Sequence, residues 1–119
     1  MMIAMVEYKR SERVGDQIRM EIADILMTKV KDPRIGFVTV TSVEVSDDLR
    51  NAKVFISVLG TDAAKSFQGL EKARSFIRSE LGRRLKLRFV PELSFHEDHT
   101  AEEAAKIYKL MEKIKESPS

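Results

Sequence analysis

The only histidines in this 119-residue chain, His96 and His99, flank Glu97 and Asp98 in the run FHEDHT at residues 95–100. Two imidazoles and two carboxylates are the donor types of a zinc site or of a general acid–base pair. Packed into four consecutive residues, however, they cannot close around one ion unless the loop folds back sharply. A polar link between a strand and a helix is the simpler reading. A hydrolase built on this run would lose function on His96→Ala or His99→Ala, whereas a non-enzymatic protein would barely respond. GxSxG, HExxH and Walker-type phosphate loops are missing, and the chain holds no cysteine, which removes disulfides, thiolate metal sites and thiol nucleophiles. No catalytic residue, metal or cofactor is assigned, and the chain is read as a non-enzyme.

Positive charge is the stronger signal. Formal net charge is only +2, yet Lys72, Arg74, Arg78, Arg83, Arg84, Lys86 and Arg88 face a single anion, Glu80, between residues 72 and 88. Residues 92–103 carry five acids (Glu92, Glu97, Asp98, Glu102, Glu103) and no Lys or Arg. Such two-sidedness suits a polyanionic partner. On a helix turning roughly 100° per residue, Lys65, Lys72 and Arg83 lie opposite an apolar stripe centred on Ile77, with Lys86 nearby and Arg78 on the flank. These cations could reach phosphates together while the stripe stays buried. A smaller cluster, Lys9, Arg10 and Arg13, opens the first helix, where cations oppose the helix dipole and so do little for folding. A charged helix face is as readily a plain solvated surface, so this pattern alone does not decide for RNA. Replacing Lys72, Arg78 and Arg83 with Glu is expected to abolish binding and leave the fold intact.

Arg34-Ile35-Gly36-Phe37-Val38 echoes the end of an RNA-recognition strand motif. Its upstream aromatic is missing and the element order is wrong for that fold, so the match is read as chance.

The elements that must position these residues follow from periodicity. Val14, Ile18, Ile22, Ile25 and Leu26 predict a helix over residues 11–30, ended by Asp32-Pro33. Residues 37–46 alternate as a strand, with the inward phase moving from Val38 and Val40 to Val43 and Val45. A β-bulge near Thr41-Ser42 is therefore expected. Residues 52–59 form the next strand, with Ala52, Val54, Ile56 and Val58 on one face, joined by a hairpin over residues 46–51. Phe67, Leu70, Ala73, Ile77 and Leu81 predict a second helix over 62–85, with Thr61 or Asp62 as N-cap. Leu85, Leu87, Phe89, Leu93 and Phe95 share one parity, predicting a third strand with Pro91 inside it at an open edge or bulge, and Lys86 and Arg88 on its outward side. Thr100 to Glu103 has capping-box spacing before a last helix to about residue 116, with Ala104, Ile107, Met111 and Ile114 as its stripe.

The order α-β-β-α-β-α implies an α+β domain whose three-stranded mixed sheet is covered by helices on one face. No repeat or linker divides the chain, so residues 1–119 are read as one domain, flexible at about 1–8 and 116–119. No apolar run reaches the roughly 20 residues of a membrane span. The opening MMIAMVEYKR lacks the pattern of a secretory signal, so a cytoplasmic location is expected.

Three stretches, KDPRIGFVTVTSVEVS from Lys31, SDDLRNAKVFISVLG from Ser46 and ARSFIRSELGRRLKLRFVPELSFHED from Ala73, resemble the ribosome-binding factor A family along nearly the whole chain. The diagnostic pieces are Asp32-Pro33-Arg34, Asp48-Leu49 with Ala52-Lys53-Val54, and Arg88 with Pro91-Glu92-Leu93. The resemblance implies a KH-like fold of the type II arrangement. It implies a cytosolic factor that binds free 30S subunits and 16S rRNA, assists late rRNA maturation and supports growth in the cold. A monomer is expected, and if its basic patch grips rRNA until the site has folded, its release would need another assembly factor such as a GTPase. In that family a helix-kink-helix with Ala-x-Gly stands where ordinary KH domains carry GxxG; here Ala73-Arg74-Ser75 takes the place, with serine for glycine. A protein-binding αβ adaptor, docking through the last helix or the acidic 92–103 segment, is the alternative from another class. A steep loss of affinity with salt would favour RNA over it.

Overall fold

The computed structural model describes residues 9–60 and 62–116. Residues 1–8 and 117–119, where flexible ends are expected, and the alternative cap Thr61 lie outside the described residues.

Apolar side chains at three- and four-residue spacing pull α1 (Arg10–Thr28) onto the sheet, burying Val14, Ile18, Ile22 and Ile25. The helix stops two residues short of the expected end, with the Lys29 and Val30 amides both donating to the Ile25 carbonyl at 2.8 and 3.1 Å. The Asp32-Pro33-Arg34 turn follows. Asp32 accepts from the Arg34 amide, Nε and Nη2 at 3.0, 3.0 and 2.5 Å, which holds its carboxyl down at about 2. Gly36 then takes φ of 66°, a left-handed conformation that a side chain would resist.

Strand β1 (Val38–Val45) pairs antiparallel with β2 (Asn51–Val58), and its register slips between Val40 and Ser42, placing the bulge at Thr41 as the valine phase requires. The hairpin is knotted by Ser46, whose Oγ accepts from the Asn51 amide at 3.0 Å and donates to Asp48 at 2.7 Å. Helix α2 (Ala63–Leu85) then crosses over, and β3 (Glu92–Glu97) returns parallel to β2, giving the order β1-β2-β3. Asp62 caps α2, accepting from the Ala64 amide at 3.0 Å.

Ala52, Val54 and Ile56 of central β2 meet Ile18, Ile22 and Ile25 of α1 and Leu70, Ile77 and Leu81 of α2 in one core cluster. Each larger side chain there contributes on the order of 2 kcal/mol by leaving water. Burial along α2 keeps a single helical phase from Ser66 through Ile77 to Leu81, and Ala73, Arg74 and Ser75 lie within its unbroken helical run. The architecture is the KH-like α+β arrangement: a three-stranded mixed sheet carrying α1 and α2 on one face.

Two expectations need correction. The third strand begins at Glu92, after Pro91, so residues 86–91 form a connection and Phe89 is exposed. The parity of Leu85, Leu87 and Phe89 imitates a strand, but Leu85 ends a helix and the proline marks the real boundary. Helix α3 (Thr100–Glu116) forms as expected, yet its stripe packs into no core among the described residues: Ile107, Met111 and Ile114 are 58%, 63% and 74% exposed. Its capping box is not made either. Thr100 Oγ1 donates to Asp98 at 2.5 Å, and the Glu103 amide bonds to the His99 carbonyl at 2.9 Å.

Candidate nucleic-acid interface

Where α2 ends, Lys86 adopts φ of 53° and turns the chain back along the helix. Val90 settles against Gly82, where an added Cβ would lie 2.6 Å from the Val90 Cγ2. Arg78 then clamps the returning strand. Its Nη2 donates to the Val90 carbonyl at 2.8 Å and its Nε to the Pro91 carbonyl at 3.0 Å, and it pairs with Glu92 at 3.3 Å. Residues 88 and 89 are thereby held out as a tip. Phe89 is 76% exposed, and the Arg88 guanidinium sits 5.5 Å from its ring centroid, in cation–π range.

Two adjoining grooves share this tip. One is lined by Arg74, Ser75, Arg78 and Ser79 of α2 with Arg88 and Phe89. The other, about 660 Å³, runs to Arg10 of α1 and to Leu49 and Arg50 of the hairpin. Acids are present at the rim, Asp48 and Glu92, but Asp48 accepts hydrogen bonds from Ser46 Oγ and the Arg50 amide, which lower its pKa, and Glu92 faces Arg78. Five arginines from four separate segments thus line two adjoining grooves that share one exposed aromatic ring. Guanidinium groups give bidentate phosphate contacts, and a free ring gives a stacking platform for a base.

Of the expected cations, Arg10, Arg78 and Arg88 are brought together here. Arg74, singled out only as part of a kink, joins them. Arg50 is a residue that sequence reasoning missed. Its only local signal is a place in a turn, and nothing in the pattern says that the hairpin meets residues nearly forty positions later. Lys86 is exposed at the turn but lines neither groove, and it does not sit on a strand face as expected. Lys9 and Arg13 are exposed on the first turn of α1, also outside the grooves.

Arg84 serves a different purpose. It bridges to α1 through Asp24 at 2.6 Å and Glu21 at 3.1 Å, whose hydrogen bonds raise its pKa further, and it also lies 3.7 Å from Glu80. Arg83 pairs with the same Glu80. Lys65, Lys72 and Arg83 occupy the opposite flank of α2 from Arg74 and Arg78, so the single patch expected from the sequence is divided by the helix itself. Glutamate at 72, 78 and 83 together would also release the clamp on residues 90 and 91, so it cannot separate binding from folding.

The FHEDHT run is built as a helix entry. Asp98 accepts from the Thr100 amide at 2.9 Å, from Thr100 Oγ1 and from Thr41 Oγ1 at 2.6 Å, which lowers its carboxyl to about 2. His96 lies 5.5 Å from the Phe55 ring and 2.9 Å from Ser94 Oγ, while His99 leans toward Glu97 and Glu102 at 3.6 and 3.3 Å. Among the described residues, no group of three or more such side chains is placed to hold a metal ion.

Comparison with known proteins agrees with this architecture. The family model described as ribosome-binding factor A matches residues 10–111. Ribosome-binding factor A of Staphylococcus carnosus is 51% identical over 107 residues, spanning 88% of this chain and 93% of that one. The protein of the same name from Syntrophus aciditrophicus is 47% identical over 112 residues, 92% of this chain and 91% of its own. Among solved structures, a Thermotoga maritima protein described as a ribosome binding factor A superposes with a TM-score of 0.70 at 32% identity, covering 80% of this chain and 92% of that one. The crystal structure of ribosome-binding factor A from Thermus thermophilus shares the fold, with a TM-score of 0.66 at 23% identity over 73% of this chain and 94% of that one. A Thermus thermophilus model of that factor, fitted into a cryo-EM map of a 30S complex, gives 0.62 at 24% identity, over 71% and 91%. With the family pattern spanning most of its length and half its residues shared with such relatives, the chain belongs to the ribosome-binding factor A family.

Proposed function

We propose that this chain binds the 30S subunit through 16S rRNA, gripping phosphates with Arg10, Arg50, Arg74 and Arg88 and stacking a base on Phe89. The observation that carries this reading is the convergence of those arginines on an exposed ring held rigid by Arg78. A Thermus thermophilus relative has been fitted into a map of a 30S complex, which supports the choice of subunit. In this role the chain is a cytoplasmic, monomeric, non-catalytic assembly factor. It occupies or reshapes an immature rRNA site late in 16S maturation and so supports growth in the cold. Release then falls to another factor, such as a GTPase.

The test is cosedimentation with purified small subunits over a salt series. Each phosphate contact contributes a slope of about 0.7–0.9 in log affinity against log salt. A slope equivalent to several contacts is expected, and salt-independent binding would reject RNA as the partner. A second reading, docking of a protein, is favoured by one feature, the exposed stripe on α3. It predicts that removing α3 ends subunit binding, whereas rRNA contact through the arginine groove survives that deletion.

A further inference from the structure

We propose that the opposite flank of α2 holds a second single-stranded RNA segment, bound by Lys29, Lys31 and Phe76, so that one chain bridges two strands. This rests on the RNA-binding reading above and extends it to a separate surface. A groove of about 460 Å³ runs there between the C-terminal end of α1 and α2, with Lys29, Lys31, Pro33, Ala73 and Phe76 in its lining. Phe76, a large apolar ring one residue from the fully buried Ile77, is 46% exposed. Lys29 and Lys31 are exposed, and neither side chain has a hydrogen bond or ion pair among the described residues. Arg74, Arg78, Arg83 and Arg84, in contrast, all have carboxylate partners. Asp32 is the groove's only acid, and Arg34 already neutralises it through two hydrogen bonds at 3.0 and 2.5 Å.

Free cations beside a partly open ring and a compensated carboxylate supply what a single strand needs, phosphate contacts and one stacking platform. Lysine is depleted from protein–protein interfaces, which argues against a protein here. Two strands rather than one follow from the helix. Phe76 and Arg78 are two residues apart and so point roughly 200° away from each other. A strand stacked on Phe76 would have to cross the outward face of α2 to reach Phe89.

Native mass spectrometry of the full chain with a short single-stranded RNA tests this, using Lys29→Glu/Lys31→Glu and Arg88→Glu/Phe89→Ala as two separate variants whose folding is checked by circular dichroism. Wild type should carry two RNAs, and each variant one, with the affinity of the lost site falling at least about tenfold. Wild type with one RNA, lost only in the Arg88/Phe89 variant, overturns the second site and leaves the first reading standing. Two RNAs retained by Lys29→Glu/Lys31→Glu also overturn it. A wild type that binds no RNA overturns both.

Discussion

Arg78 on α2 donates through Nε to the carbonyl of Pro91 at 3.0 Å, tying the helix to the residue that precedes β3. With the companion bond to Val90, this makes Arg78 a positioning residue for the Arg88-Phe89 tip. Arg78→Ala should therefore lower stability by about 1.5–3 kcal/mol, the range for hydrogen bonds to a charged group, and weaken RNA binding as the tip loosens. Arg78→Lys keeps the charge but not the planar fork, so it should recover little of either. Chemical denaturation combined with subunit binding checks both; binding fully restored by lysine would show that charge alone matters.

Gly15 lies where α1 comes close to the backbone of β1. A Cβ there would lie 2.8 Å from the backbone carbonyl oxygen of Val43, which cannot swing aside as a side chain can. Gly15→Ala should cost about 1–3 kcal/mol by overpacking, despite a helix-propensity gain of up to about 1 kcal/mol. Thermal unfolding of the variant reads the net sign, and an increase in stability would contradict this packing.

Asp98 gives a pH signature. Its carboxyl titrates near 2 in the folded chain against an ordinary value of 3.8, chiefly because it accepts from the Thr100 and Thr41 hydroxyls. A depressed folded pKa means that the stabilisation is full above 3.8 and is lost as pH falls toward about 2. Asp98→Asn should be less stable than wild type at neutral pH, with the gap closing across that acid window. Urea midpoints measured from pH 6 to pH 2 follow it, and a gap that stays constant with pH would refute the assignment.

Helix α3 adds no buried apolar side chain to the described core. Ending the chain after Thr100 should change stability by less than about 0.5 kcal/mol, as for exposed surface in general. Calorimetry of the shortened chain is sufficient; a large loss of stability would mean that α3 packs on the body in solution.

How far the sequence could be read depended on the kind of signal. The repeats of Ile18, Ile22, Ile25 and of Leu70, Ile77, Leu81 report burial directly, and the valine phase change from Val40 to Val43 fixed the bulge. The start of β3 was lost because Leu85, Leu87 and Phe89 alternate for unrelated reasons, at a helix end and in a turn. Charge was visible but its commitments were not. Nothing near Arg84 reveals that Glu21 and Asp24, some sixty residues earlier, engage its guanidinium, or that Arg50 comes round to the same groove as Arg88. An amphipathic pattern such as Ile107, Met111, Ile114 states that a helix has an apolar side, not that the chain itself covers it.

The arginine groove is tested most directly by cosedimentation of Arg88→Glu/Phe89→Ala with purified 30S subunits beside wild type. Both side chains are exposed, so the fold should be unchanged. Wild type should pellet with the subunit and the variant should bind at least about tenfold more weakly, having lost a phosphate contact and a stacked base. Equal binding by a correctly folded variant would contradict the placement of rRNA on this tip.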